Sequence, residues 1–273
     1  MPPFLNHDTF VNILFSRVER ATVTRALVIV NALVFVFLAA VSMSPMQIPA
    51  DLLIRVGGNF APLIQKGEEW RLFTALFLHG GLLHVGLNMF ALHQAGQVVE
   101  RLFGRWGFAV IYIVAGLLGN LASLWWKPGP VSVGASGAIF GVYGALVSYL
   151  LLQRGSVPGE IFREMRSGTL GFIGYSLFAG FTIPGIDNAA HLGGLVGGLV
   201  LGAAFAEPII APRPVRWLAP RALAGLLAAA LLGAGMWQTA PQVVRKFEID
   251  SAYQQTVQRF ALEEQELVRE QAA

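Results

Sequence analysis

Two histidines, an asparagine and a serine carry the chemistry this 273-residue sequence could perform. Ser136 stands in the run Gly134–Ala135–Ser136–Gly137. His84 and Asn88 lie four residues apart in HGGLLHVGLNM, and His191 opens the glycine-rich HLGGLVGG. A serine hydroxyl is a weak nucleophile until a base takes its proton, and histidine is the usual base near neutral pH. The tetrahedral intermediate that follows needs donors aimed at its negative oxygen. N–H groups at a helix N-terminus have no intrahelical acceptor, and the helix dipole favours negative charge there. One acyl-transfer site therefore accommodates all four side chains: Ser136 as nucleophile, His191 as base, and His84 with Asn88 as oxyanion donors beside the first N–H groups after Ser136. The rival chemistry is zinc held by His79, His84, His93 and His191. It lacks an H-E-x-x-H helix and any carboxylate within a span to act as base. With no cysteine in the chain, thiolate catalysis, disulfides and cysteine-based metal sites are excluded.

The elements that position these residues are membrane helices. The chain is 55% hydrophobic and 13% charged, against about 25% charged residues in soluble domains, and its mean hydropathy is +0.61. A span needs roughly 20 apolar residues. Such stretches fall at about 26–43, 82–103, 106–126, 134–152, 169–184, 189–206 and 218–238, with the fifth short for a crossing. The expected fold is all-α, a polytopic helical bundle with a six-helix core and an added C-terminal transmembrane helix. The expected organisation is an N-terminal segment over 1–24, a membrane domain over 25–206, a linker and seventh helix over 207–240, and an amphipathic tail over 241–273. The first apolar run is too long for a signal-peptide core and no clean cleavage site follows, so it reads as an uncleaved span.

Orientation and depth follow from the loops. Arg17, Arg20 and Arg25, then Arg101 and Arg105, then Arg154, Arg163 and Arg166, then Arg213, Arg216 and Arg221 share one side if the spans alternate. That side, with the N-terminus, is cytoplasmic by the positive-inside rule. Spans two, four and six then run inward, and His84, Ser136 and His191 each lie within about two turns of their outer ends. Asn88 is one turn below His84 on the same face. Ala190, Gly194, Gly198 and Gly202 recur every four residues, opposite Gly137 and Gly141; small residues at this spacing let helix backbones approach closely. The loop over about 44–81 contains a ten-residue apolar stretch, Trp70 to His79. That is too short to cross and fits an interfacial or re-entrant segment. In the tail, Ile249, Tyr253, Val257 and Phe260 fall at helical spacing and suggest a solvated or partner-binding helix. The basic residues are dispersed over short loops, so nucleic acid is not an expected partner.

With these motifs assembled, the chain resembles the rhomboid family of intramembrane serine proteases, in its bacterial type. EEWRLFTALFLH is similar to the family's E-x-W-R stretch, with Glu68 or Glu69, Trp70 and Arg71; HVGLN to H-x-x-x-N; GASG to G-x-S-G; and AHLGG to A-H-x-x-G. The resemblance covers about 70–205. It implies a Ser136–His191 dyad, an oxyanion hole of His84, Asn88 and the Ser136 N–H, Gly134 clearing room beside the nucleophile, and Trp70 and Arg71 holding the first loop. Phe140 stands where some members carry a tyrosine stacked on the base, so the stacking surface is kept and the hydroxyl lost. Asp187 is the candidate orienter of His191. No cofactor is implied. The implied substrates are single-span membrane proteins cut in or near the outer leaflet of the bilayer, and the implied location is a bacterial inner membrane. An inactive adaptor binding membrane clients and a transporter are the alternatives; the latter predicts buried carboxylates or inverted repeats, which the sequence lacks.

Overall fold

The computed structural model describes residues 6–126, 128–210 and 220–271, with side chains as far as Ser251 apart from those of residues 247 and 249. Lys127, Arg213 and Arg216, and the side chains of Ile249, Tyr253, Val257 and Phe260, lie outside the described residues. Ten α-helices follow one another: α1 His7–Arg17, α2 Thr22–Ser42, α3 Ala50–Arg55, α4 Ala61–Ile64, α5 Arg71–Thr74, α6 Leu82–Trp126, α7 Ser136–Leu152, α8 Gly159–Thr182, α9 Asn188–Phe205 and α10 Pro220–Gln271. The β-pairing among them is a single antiparallel bridge between Asn59 and Ser132. The protein is an all-α polytopic membrane bundle. Four helical stretches are long and apolar enough to cross a membrane: Thr22–Ser42, Leu82–Trp126, Asn188–Phe205 and Pro220–Lys246. Their outward positions are apolar, as at Leu33, Phe37, Leu83 and Phe90, which is the arrangement a lipid solvent requires.

The second and third expected spans form one 45-residue element broken at Gly104, whose φ of 76° and ψ of 167° are not helical. Twelve residues of unbroken helix cover about 18 Å. Yet Phe108 Cζ lies 3.3 Å from where a Cβ on Gly96 would sit, so the chain doubles back at Gly104 as a hairpin. The second arm packs on both α7 and α9: a Cβ on Gly119 would lie 2.7 Å from Ala190 O and 3.4 Å from Gly137 Cα. Helix α7 is the centre of the bundle, with Gly137 to Leu146 buried without interruption.

Backbone contact between α7 and α9 sets this centre. A Cβ on Gly194 would overlap the carbonyl oxygen of Gly137, one on Gly198 that of Gly141, and one on Gly202 the Cα of Ala145. From the other helix, a Cβ on Gly144 would come within 2.5 Å of Leu195 O. Lipid offers no hydrophobic drive for helices to associate, so dispersion across such close contacts is the main attraction available.

Three elements differ in extent from the apolar runs. The N-terminal segment carries a docked helix: α1 buries Phe10 and Leu14 in the main core with Leu102, Val157 and Ile209. The fifth apolar run is short, as expected, and α8 is not among the four helices apolar enough to cross; its charged first turns, with Glu160, Arg163, Glu164 and Arg166, extend the helix to 24 residues. Helix α8 is nonetheless loosely held, and Thr169 is its one buried residue. The C-terminal helix does not stop near 238 or 240: α10 continues through Pro241 for 52 residues.

The start of α2 is capped from across the α2–α6 contact. The buried Glu100 carboxylate accepts from the Val23 and Thr24 N–H groups at 3.1 and 2.7 Å and from Thr24 Oγ1 at 2.8 Å. It thus caps the N-terminus of α2, where Ala21 supplies no side-chain cap.

Gly198→Ala is expected to destabilise the bundle by about 1–3 kcal/mol or more, read as a lowered thermal midpoint in detergent. Gly171→Ala is the control, since a Cβ there meets nothing within 4 Å and the midpoint should hold or rise.

Candidate active site

Ser136 is the first residue of α7. The chain enters from a loop in which Gly134 has φ +133° and a Cβ would sit 2.8 Å from His84 Nε2. Only glycine suits that position, on conformation and on space alike. Ala135 is the N-cap and supplies no side-chain hydrogen bond, although Ser, Thr, Asp or Asn is the usual choice there. The first N–H groups of α7 are therefore left uncapped beside the half-buried serine hydroxyl.

The first loop braces this entrance. Asn59 and Ser132 exchange backbone hydrogen bonds of 3.0 and 2.9 Å, and Gly134 N donates to Ala75 O at 2.9 Å. Asn59 Nδ2 donates to Asn120 O at 2.9 Å, and Asn120 Nδ2 to Leu72 O at 2.7 Å. At the heart of the loop, buried Arg71 pairs with Glu68 at 2.7 Å and donates to the carbonyls of Ile54 and Gly58. Of the two candidate acids, Glu68 is the one engaged. Trp70 is half exposed, its ring 4.8 Å from the Arg71 guanidinium carbon. Both residues belong to the scaffold of the loop and stand apart from the serine.

His84 lies on α6, where Gly80 N–H donates to its Nδ1 at 3.3 Å. A neutral ring that accepts at Nδ1 carries its proton on Nε2. Nε2 is the atom beside Gly134, so the ring turns a donor toward the entrance of α7. One turn deeper, the buried Asn88 donates one amide hydrogen back to His84 O at 2.8 Å, leaving the second free. His79, one of the four histidines of the zinc reading, is fully buried with its ring edge-on to His84, the centroids 5.1 Å apart. Neither of its ring nitrogens has a partner. His93 is exposed on α6, so the four histidines of the zinc reading do not converge.

His191 sits in the first turn of α9 and is buried. Phe140 stacks on its ring at 4.3 Å and an interplanar angle of 10°. Phe172 of α8 in turn contacts Phe140 at 5.7 Å and stacks on Tyr143 at 4.0 Å. The ends of α7 and α9 meet closely: a Cβ on Gly137 would lie 3.2 Å from Ala190 O. Thus Ser136 and His191 each adjoin a residue of the contact. No hydrogen bond joins the two side chains among the described residues, and His191 Nδ1 is buried without a partner.

The expectation that Asp187 orients His191 is overturned. Its Oδ1 accepts from Ala190 N at 3.0 Å as the N-cap of α9, and its Oδ2 accepts from Ser132 Oγ at 2.6 Å. Both carboxylate oxygens are spent on holding α9 to the loop before Ser136. An acid just ahead of a helix is an ordinary N-cap signal; the bond to Ser132 has none in sequence.

Comparison with known proteins matches the stretch of the chain that carries these residues. The Rhomboid domain model matches residues 66–208. The chain is 40% identical over 158 residues to Rhomboid protease GluP of Bacillus subtilis, covering 58% of this chain and 30% of that protein. It is 37% identical over 164 residues to RHOMBOID-like protein 1 of Arabidopsis thaliana, covering 59% and 41% respectively. Similarity to Rhomboid-like protease 1 of Toxoplasma gondii is 30% over 225 residues, 80% of this chain and 76% of that protein. The chain thus spans less than half the length of the first two relatives.

Removing the Asp187 carboxylate costs α9 its cap and the loop its anchor together. Asp187→Ala is expected to destabilise by about 1–2 kcal/mol. Ser132→Ala should cost less, and should add almost nothing once Asp187 is gone. Unfolding midpoints of the two single variants and the double variant measure this coupling.

Proposed function

The chain belongs to the rhomboid family, and from that premise we propose that it is an intramembrane serine protease working through a Ser136–His191 dyad. The observation that carries the proposal is the uncapped N-terminus of α7, with Ser136 at its first position and the His84 Nε2–H turned toward it. A capped helix end would have no donors to offer a developing oxyanion. The word protease in the names of the Bacillus and Toxoplasma relatives supports the reaction class.

In the proposed reaction, Ser136 Oγ attacks the carbonyl carbon of a peptide bond as its proton passes to the His191 ring. The oxyanion accepts from the Ser136 N–H, His84 Nε2–H and the free Asn88 amide hydrogen. Collapse expels the amine, which takes the proton from His191, and leaves an ester on Ser136. Water then attacks the ester while His191 takes its proton, and the second collapse returns that proton to Ser136. Catalytic hydrogen bonds are often unmade before substrate binds, and the proposed mechanism requires Ser136 Oγ and the His191 ring to meet when it does. Phe140, flat against His191, restricts the imidazole to one plane. The buried, otherwise unpartnered ring is thereby held for a single task.

The proposed substrates are single-span membrane proteins, cut where the entrance of α7 meets the outer leaflet. A substrate helix hides its carbonyls in its own hydrogen bonds, so cleavage favours segments weakened by residues such as glycine. The loose packing of α8, with Thr169 alone buried, supports lateral entry between α8 and the first arm of α6. The arginine distribution supports a cytoplasmic N-terminus in a bacterial inner membrane. The apolar Pro220–Lys246 stretch supports a seventh crossing, with the rest of α10 as an extracytoplasmic segment.

A fluorophosphonate serine probe is expected to label the wild type but neither Ser136→Ala nor His191→Ala, and both variants should lose cleavage of a single-span substrate. Unchanged cleavage in Ser136→Ala would reject the mechanism, and absence of cleavage by a folded wild type across such substrates would favour a client-binding adaptor. Asn88→Ala is expected to lower kcat by about 10²–10³-fold. Gly134→Ala, which pushes on His84, should lower it by about 10²-fold with a smaller change in KM; steady-state kinetics in proteoliposomes measures both.

A further inference from the structure

At the end of the bundle away from Ser136, the turn between α7 and α8 and the start of α1 enclose a cavity of about 580 Å3. Its wall brings together Arg154, Arg163 and Arg166, with His7, Glu160 and Phe162. None of the three arginines has an ion-pair partner within 4.0 Å among the described residues. Glu160 is the one carboxylate in the wall, and His7 is engaged by Asp8 at 3.2 Å. Arg154 and Arg166 both lie over the Phe162 ring, at 5.4 and 5.8 Å from its centroid. One aromatic face therefore gathers two guanidinium forks. Gly155 and Gly159, also in the wall, carry no side chain that could fill the cavity. The N-cap of α8 is Pro158, which supplies no side-chain cap.

Uncompensated arginines around a cavity match a phosphate, which they bind through paired N–H groups. The surroundings decide which phosphate. Leu151 and Leu152, just before Arg154, are 70% and 57% exposed, and Leu170, one turn beyond Arg166, is 53% exposed. These exposed apolar side chains suit hydrocarbon, and they adjoin in sequence the arginines that line the cavity. A group bound there has its charged end on the arginines and apolar protein surface directly beside it. We propose that this cavity binds the phosphodiester headgroup of an anionic phospholipid from the adjoining leaflet, with the acyl chains lying along Leu151, Leu152 and Leu170. Basic pockets between membrane helices are suited to such headgroups. A bound lipid would tie together the end of α7, the start of α8 and α1, all of which line the cavity. The site is remote from Ser136 and its readout is lipid binding, so it stands or falls separately from the proteolytic reading.

The test is native mass spectrometry of the full chain, delipidated in neutral detergent and titrated with phosphatidylglycerol, phosphatidylcholine or inorganic phosphate. One phosphatidylglycerol is expected to bind about tenfold or more tightly than phosphatidylcholine, and the Arg154→Gln/Arg163→Gln/Arg166→Gln variant should lose that preference. Millimolar inorganic phosphate should not displace the lipid, because it lacks the apolar half of the contact. Glu160→Gln, which removes the opposing charge and leaves the packing intact, should tighten phosphatidylglycerol binding a few-fold. Equal binding of the two lipids, displacement by inorganic phosphate, or retained preference in the triple variant overturns the proposal. Should the triple variant not fold, Glu160→Gln decides, and unchanged or weaker binding there overturns it equally.

Discussion

The contact of α7 with α9, backbone against backbone, is the constraint on which the rest of this molecule depends. Gly194 and Gly198 leave no space for a Cβ against the carbonyls of Gly137 and Gly141. The two helices are thereby fixed in register to within a fraction of a residue, since sliding either one would bring side chains into the seam. Ser136 and His191 stand at one end of that seam. Their separation in sequence is bridged by packing that begins at the very next residues, Gly137 and Ala190. A site built on two rigid helices with a steric register needs no third acid to hold it. Asp187 accordingly serves the loop and the cap.

Hydrogen-bond satisfaction divides the molecule into scaffold and site. Irregular backbone survives at membrane depth only when its polar groups are paired within the protein, and the first loop meets that condition through Arg71, Asn59, Asn120 and Ser132. Glu100 does the same for the start of α2. Around Ser136 the pattern reverses. The first turn of α7 is uncapped, the Asn88 amide retains a hydrogen, and both nitrogens of His79 and Nδ1 of His191 are buried without partners. Donors left open beside Ser136 are what a developing charge requires, because reorganisation is then small when the charge appears.

Most of this was legible in the residues, and what was not has identifiable causes. Apolar runs located the spans, and the four-residue recurrence of Gly194, Gly198 and Gly202 announced close packing before any coordinate. Helix α1 escaped because two apolar residues, Phe10 and Leu14, in a polar segment give too little periodicity to separate a docked helix from a tail. The start of α8 escaped because its charged turns carry no apolar stretch, although helix geometry does not change where the membrane ends. Gly104 was expected in a turn, yet its single non-helical residue suffices to reverse the chain. The role of Asp187 was misjudged because proximity in sequence to His191 said nothing of Ser132, 55 residues earlier. A tertiary hydrogen bond of that kind leaves no local signature.

The most direct measurement is a structure of the protein after reaction with a phosphonate that forms a covalent adduct on its active serine. The expected result is an adduct on Ser136 Oγ, its phosphoryl oxygen within hydrogen-bond distance of the α7 N-terminal N–H groups and His84 Nε2, and the His191 ring turned against the serine while still stacked on Phe140. An adduct elsewhere, or one on Ser136 whose oxygen points away from the start of α7, would contradict it.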